Sequence, residues 1–137
     1  MQTFLPYPDI RASVACLDDR RLGKQRAEAL QVLRALAAER EDRPYGWRRH
    51  PVARMWRGHD ELLGAYLNAS LDEWERRGFR NAIPRVAAPG TGLVLPTWWA
   101  DPRLHGSHRS ALLRKAPAHY GRFGWREPPD LPYFWPP

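Results

Sequence analysis

The stretch Leu17-Asp18-Asp19-Arg20-Arg21-Leu22-Gly23-Lys24-Gln25-Arg26-Ala27-Glu28 decides how the rest of the chain is read. Asp18 or Asp19 is a natural N-cap, because a short carboxylate accepts hydrogen bonds from the free amides of a first helical turn. Downstream, Leu22, Ala29, Leu33 and Leu36 fall at helical spacing on one face, and Leu30, Val32 and Ala37 widen it. The pattern predicts one long helix from this cap to about Arg40. On a wheel of about 100° per residue, Glu28 shares its side with Arg21, Lys24 and Gln25, at the edge of the apolar stripe. Four cations (Arg20, Arg21, Lys24, Arg26) surround this one carboxylate. Two readings stand. One is a Lys24–Glu28 surface pair, worth a few tenths of a kcal/mol. The other is an acid set in a phosphate-binding groove, where cations hold a strand and the acid handles protons.

Composition favours a polyanion as partner. The chain has 137 residues, 43% of them hydrophobic, and a formal net charge of +7. That suits one folded domain with a modest core. A small basic domain gains affinity for nucleic acid by releasing counterions from phosphates. A single cysteine, Cys16, excludes an intrachain disulfide and a four-cysteine metal site, and its apolar setting reads as core. No cofactor is expected, and no metal: His105 and His108 lack a third ligand at metal-like spacing. No apolar run approaches the ~18 residues of a membrane span, and no basic segment followed by an apolar run opens the chain. The expectation is a cytoplasmic monomer without a membrane partner. Phosphate-cradling GxxxxGK[ST], HExxH and Gly-x-Ser-x-Gly motifs are all absent.

The rest of the chain reads as helices joined by long connections. Met1–Pro8 is extended or irregular, and Asp9 caps a short turn through Ala15. Pro51, at a first helical position after His50, opens a second helix that runs to Arg77 and stops at Gly78. Gly58 and Gly64 within it allow close packing. Residues 79–104 form an ordered loop pinned by Trp98 and Trp99. Ser107 caps a third helix from His108 to about Lys115, with its first amides and Arg109 placed for phosphate. Pro117 starts a turn through Tyr120, and residues 121–137 wrap the surface. Arg48, Arg49, Arg54 and Arg57 make a basic face at the start of the second helix. The tail aromatics Tyr120, Phe123, Trp125, Tyr133, Phe134 and Trp135 read first as anchors on the core and second as base-stacking groups. The fold class is all-α: a single compact domain, residues 1–137, of three main helices with long ordered loops.

With these residues in hand, the chain resembles the phage-type pyrimidine-dimer DNA glycosylase/AP lyase family, and within it a bacterial branch. The matching stretches are Leu17 to Glu28, His50-Pro-Val-Ala-Arg-Met-Trp56, Glu73-Trp-Glu-Arg-Arg-Gly-Phe79, and His108-Arg-Ser-Ala-Leu-Leu-Arg-Lys115 with Tyr120. The resemblance implies a three-helix fold with the N-terminus threaded between two helices, beside the first. It implies the chain's α-amino group as nucleophile and Glu28 as the catalytic carboxylate. It also implies base excision by an imine and β-elimination, with double-stranded DNA as partner and no metal. An initiator methionine is usually kept before a large residue such as Gln2, so Met1 is expected to supply the amine. Free α-amines titrate at about 7.7–8.0 against about 10.4 for lysine, which makes a terminus a ready amine nucleophile at neutral pH. The DNA-facing set read from alignment and wheel is Gln2, Arg20, Arg21, Lys24, Gln25, Arg26, Arg109, Arg114 and Lys115. Alternatives are a basic DNA-binding module without catalysis, a glycosylase for a different lesion or modified base, and a structural domain that binds partners through its tail.

Overall fold

The structure, a computed structural model, describes residues 1–137. It is all-helical, with no strand. The helices are α1 (Ile10–Ala15), α2 (Asp19–Arg40), α3 (Pro51–Trp56), α4 (Asp60–Arg76), α5 (Pro102–Lys115) and α6 (Pro117–Tyr120), followed by a 3-10 turn at Gly121–Phe123. The expectation of an all-α domain holds, and α2 runs over the span its periodicity predicts. Leu22, Ala29, Val32 and Leu36 of α2 meet Leu63, Leu67 and Leu71 of α4 in the core. Gly23 sits at a close approach: a Cβ there would lie 3.2 Å from the Trp74 ring of α4, so the ring would have to give by a few tenths of an ångström.

Two boundaries differ from the sequence reading. The second helix is broken into α3 and α4. Arg57 is extended (ψ 126°) and Gly58 takes φ +82°, a left-handed geometry open to glycine, so the chain turns instead of continuing. Gly58 therefore ends a helix and does not pack within one. The third helix starts six residues earlier than expected, at Pro102, capped by Asp101, whose side chain accepts from the Arg103 amide. Pro102 at the first position and Asp101 before it are the stronger start signal. Ser107 is then mid-helix, its hydroxyl donating to the Leu104 carbonyl. The amides of residues 107–109 are consumed within α5, so no anion site exists there.

The loop before α5 is pinned as expected. Trp98 is buried, donates its indole N–H to the Met55 carbonyl at 2.9 Å, and meets Trp56 edge-on at 5.0 Å. The tail also wraps the core: Trp125 stacks on Tyr120 and donates to the Tyr7 hydroxyl, and Phe134 N–H donates to Ser107 Oγ. No helix is long and apolar enough to cross a membrane.

The N-terminus carries the least expected feature. Gln2 to Pro6 is an extended segment buried at the centre of the bundle without any neighbouring strand. Buried peptide groups need partners, and an orphaned one costs about 1–3 kcal/mol. Here the partners are side chains. Thr3 N–H donates to its neighbour Gln2 Oε1 at 3.0 Å, and Phe4 N–H to Gln25 Oε1 at 2.8 Å. Leu5 N–H donates to His108 Nδ1 at 2.9 Å, and the Leu5 carbonyl accepts from His105 Nδ1 at 2.7 Å. Tyr66 Oη donates to the Phe4 carbonyl at 2.8 Å, and Arg109 Nη1 to the Pro6 carbonyl at 2.7 Å. Side chains from α2, α4 and α5 thus replace the ladder a sheet would give.

Candidate active site

The threaded segment delivers the chain terminus to the wall of α2. Gln2 N–H points at Glu28 Oε2 across 3.3 Å. The Met1 amino nitrogen is only its own Cα and carbonyl carbon away from that amide. Around them lies a cleft of about 240 Å³ lined by Met1, Gln2, Phe4, Arg21, Lys24, Gln25, Glu28, Lys115 and Tyr133. Three side-chain cations and the terminal amine face one carboxylate there, so the cleft is electropositive. Met1, Phe4 and Tyr133 give it a smaller apolar side.

Gln25 organises this wall. Its Nε2 donates to Glu28 Oε2 at 3.0 Å and to the Gln2 carbonyl at 2.9 Å. Its Oε1 accepts from Phe4 N–H and, at 2.7 Å, shares the single Tyr66 hydroxyl proton with the Phe4 carbonyl. One buried amide therefore fixes the carboxylate and the terminal segment in a common frame. Burial raises the Tyr66 phenol far above its ordinary range, which keeps it a neutral donor. Arg21 is aimed by Asp18 at 3.1 Å, and Asp18 in turn accepts from the Tyr120 hydroxyl. Burial pushes the Asp18 carboxyl up, but the hydrogen bonds from Tyr120 and Arg21 outweigh it and hold it below the usual range.

On the far side, His50 caps α3 by accepting Val52 N–H at Nδ1, which leaves its proton on Nε2. Burial first, and the charged terminus second, lower its pKa, so the imidazole is held neutral near Met1. Trp47 and Trp135 meet the His50 ring edge-on at 5.5 and 5.9 Å, and Trp135 meets Tyr133 at 5.6 Å. Burial first raises the Tyr133 phenol; Arg114 opposes this and Glu28 adds to it.

Of the expected site residues, Met1, Gln2, Arg21, Lys24, Gln25, Glu28 and Lys115 converge on this cleft, and Arg20, Arg26, Arg109 and Arg114 do not. Gln25 is 1% exposed and Gln2 3%, so both form the buried back wall of the cleft. Arg26 turns toward α4, stacking on Trp74 at 4.1 Å and donating to Asn81 Oδ1. Arg109 pairs with Glu127 at 2.7 Å besides holding the Pro6 carbonyl, and Arg114 ties down the Pro129 carbonyl. Arg20 is exposed and does not line the cleft. His105 and His108 are buried clamps of Leu5, and no cluster of metal-ligating side chains exists. Sequence reasoning offered Tyr133 only as a second, base-stacking reading, and missed the Tyr66 hydroxyl as a hydrogen-bonding anchor. Only the rule that a buried phenol needs a partner hinted at Tyr66.

A family model described as pyrimidine dimer DNA glycosylase matches residues 1–85. No curated protein and no solved structure matches the chain. The matched span holds α1 to α4, Met1 and Glu28. It stops short of α5, Lys115 and Tyr133.

Proposed function

Because the chain belongs to the pyrimidine dimer DNA glycosylase family, a family of DNA repair enzymes, we propose that it removes damaged or modified pyrimidines from duplex DNA and cleaves the resulting abasic site. Met1 supplies the nucleophile and Glu28 the carboxylate, while Arg21, Lys24 and Lys115 hold phosphates. The observation that carries this reading is the 3.3 Å approach of the Gln2 amide to Glu28 Oε2, which sets the chain terminus beside the acid inside a basic cleft.

In this reading the uncharged amine attacks C1′ of the target nucleotide. The glycosidic bond breaks, its electron pair leaves with the base, and the base gains a proton. The new ammonium gives a proton to Glu28, its freed lone pair then expels O4′, which is protonated, and an iminium joins Met1 to C1′. Removal of the 2′ proton sends electrons into a C2′–C3′ double bond and expels the 3′ phosphate. Glu28 stabilises the cationic sugar and relays protons. The target nucleotide must leave the helical stack for the amine to reach it. Arg21, Lys24 and Lys115 act as phosphate contacts, so binding falls steeply with salt.

The deciding experiment is borohydride trapping on a duplex with an abasic site, followed by intact mass and peptide mapping. The expected product is a covalent DNA adduct on the Met1 nitrogen. A folded, DNA-binding protein that yields no adduct, or one on a lysine, overturns the mechanism. Glu28→Gln separates the enzyme from a pure binding module: the enzyme loses turnover and keeps affinity, and a binding module has no turnover to lose.

A further inference from the structure

A second cleft, of about 370 Å³, is lined by Arg48, Arg49, Arg54, Arg57 and Glu39, with no apolar side chain. Four guanidiniums around one carboxylate leave an excess of positive charge that the protein does not neutralise. Arg57 pairs with Glu39 at 2.7 Å, and Arg48 is held by the Arg43 carbonyl and lies 3.7 Å from Asp42. Arg49 and Arg54 are exposed and have neither an ion-pair nor a hydrogen-bond partner. Both line the same cleft, and a guanidinium presents the planar, bidentate donor geometry that phosphate oxygens accept.

The position of this cleft follows from α2. Glu39 comes 11 residues after Glu28. At 3.6 residues per turn that is almost a whole number of turns, so the two carboxylates share one face, about 16 Å apart along the axis. The short helix α3 links the two ends: its cap His50 feels the charge of the chain terminus, and Arg57 after its last turn pairs with Glu39. Its inner residues Val52, Met55 and Trp56 are buried, and Arg54 is on its outer side. His50, which senses the charged terminus, joins Arg49 to Pro51. Two basic clefts, one at Arg21, Lys24 and Lys115 and one at the four arginines, are thus joined by α3. With duplex DNA rising about 3.4 Å per base pair, 16 Å is about five base pairs.

We propose that Arg48, Arg49, Arg54 and Arg57 form a remote backbone subsite that grips a phosphate of the DNA about five base pairs to one side of the nucleotide attacked in the Glu28 cleft. The inference rests on the DNA reading above. The subsite supplies affinity and register without touching the reacting sugar, since phosphate contacts position a protein and carry no sequence information.

The test uses duplexes with a stable abasic-site analogue, one arm kept long and the other shortened stepwise from ten to three base pairs, in both orientations. The wild-type protein is expected to lose about tenfold in affinity when one particular arm drops below five base pairs, and little when the other does. Arg49→Ala/Arg54→Ala should bind the long duplex about tenfold more weakly, no longer respond to that truncation, and show a salt slope shallower by one to two. Both positions are exposed, so an unchanged melting temperature certifies the fold. Identical truncation profiles and salt slopes for the two proteins overturn this inference and leave the proposed function standing. Failure of the wild type to bind any duplex overturns both.

Discussion

Gln25 and Glu28, one turn apart on α2, are joined by a 3.0 Å hydrogen bond, and the same Gln25 amide holds the carbonyl of Gln2. The acid and the terminal segment thus share one hinge-free support, made of a side chain that is itself buried and fully hydrogen-bonded. Gln25→Leu keeps the volume and removes all four bonds. Phe4 N–H, the Gln2 carbonyl and the Tyr66 hydroxyl are then left buried without this partner, at about 1–3 kcal/mol for each group that finds no other. The expected result is a loss of about 2–4 kcal/mol in urea unfolding, with DNA cleavage reduced further than the unfolded fraction explains.

Glu28→Gln tests the acid itself. Its amide oxygen still accepts from Gln25 and Gln2, so folding is expected to hold within about 0.5 kcal/mol. Loss of a proton relay costs about 10²–10⁴-fold in rate. Single-turnover cleavage of an abasic duplex should fall by that range while the dissociation constant changes less than threefold. An equal fall in both means Glu28 serves binding.

The reach of the terminus is tested by adding Gly-Ser ahead of Met1. The extension moves the free amine out by two residues and leaves the Gln2–Pro6 ladder untouched. Borohydride trapping should drop more than a hundredfold with the melting temperature unchanged. Undiminished trapping means that some amine other than the terminus reacts.

How far the sequence announced this site depends on the range of the contacts involved. Glu28 with Arg21, Lys24 and Gln25 was legible because neighbours one turn apart on a helix are fixed by its period. The all-α class and the span of α2 were legible for the same reason. The break at Gly58 was not, because glycine alone does not distinguish a helix end from a packing notch, and only φ +82° decides it. The start of α5 is ambiguous in sequence because Ser107 and Asp101 are both good caps, and Pro102 at the first helical position decides for Asp101. The inward turns of Gln25, Arg26 and Arg109 depend on partners between 18 and 103 residues away, such as Pro6, Asn81 and Glu127. No periodicity records contacts of that kind.

The clamp on Leu5 makes stability depend on pH. His108 accepts the Leu5 amide at Nδ1 and is buried, and burial drives its pKa down to about 3 from the ordinary 6.5. Burial also lowers His105, which donates to the Leu5 carbonyl. A group whose folded pKa is depressed takes up protons more readily when unfolded. Above pH 6.5 both states are neutral at His108 and nothing is lost. As pH falls from 6.5 toward 3, the unfolded chain binds the proton first, and stability declines by about 1.4 kcal/mol per pH unit for that one group. Urea unfolding at pH 7, 6, 5 and 4 should trace that slope. His108→Asn keeps an acceptor near the Nδ1 position and cannot be protonated, so it should unfold more easily at pH 7 with a markedly flatter pH profile.

Lys115 and Arg109 lie six residues apart on α5 and are expected to behave oppositely. Lys115 is exposed, lines the cleft and has no partner in the protein. Arg109 is half-buried between Glu127 and the Pro6 carbonyl, where it fastens the tail to the terminal segment. Lys115→Ala should leave the melting temperature alone, weaken binding alike across sequences, and reduce the slope of log affinity against log salt by about 0.9, the value of one phosphate contact. Arg109→Ala orphans Glu127 and a main-chain oxygen, so it should cost about 1–3 kcal/mol in stability. Its salt slope should match the wild type once binding is measured on fully folded protein. A slope that falls at Arg109 and holds at Lys115 would reverse the two assignments and move the phosphate path to the other side of α5.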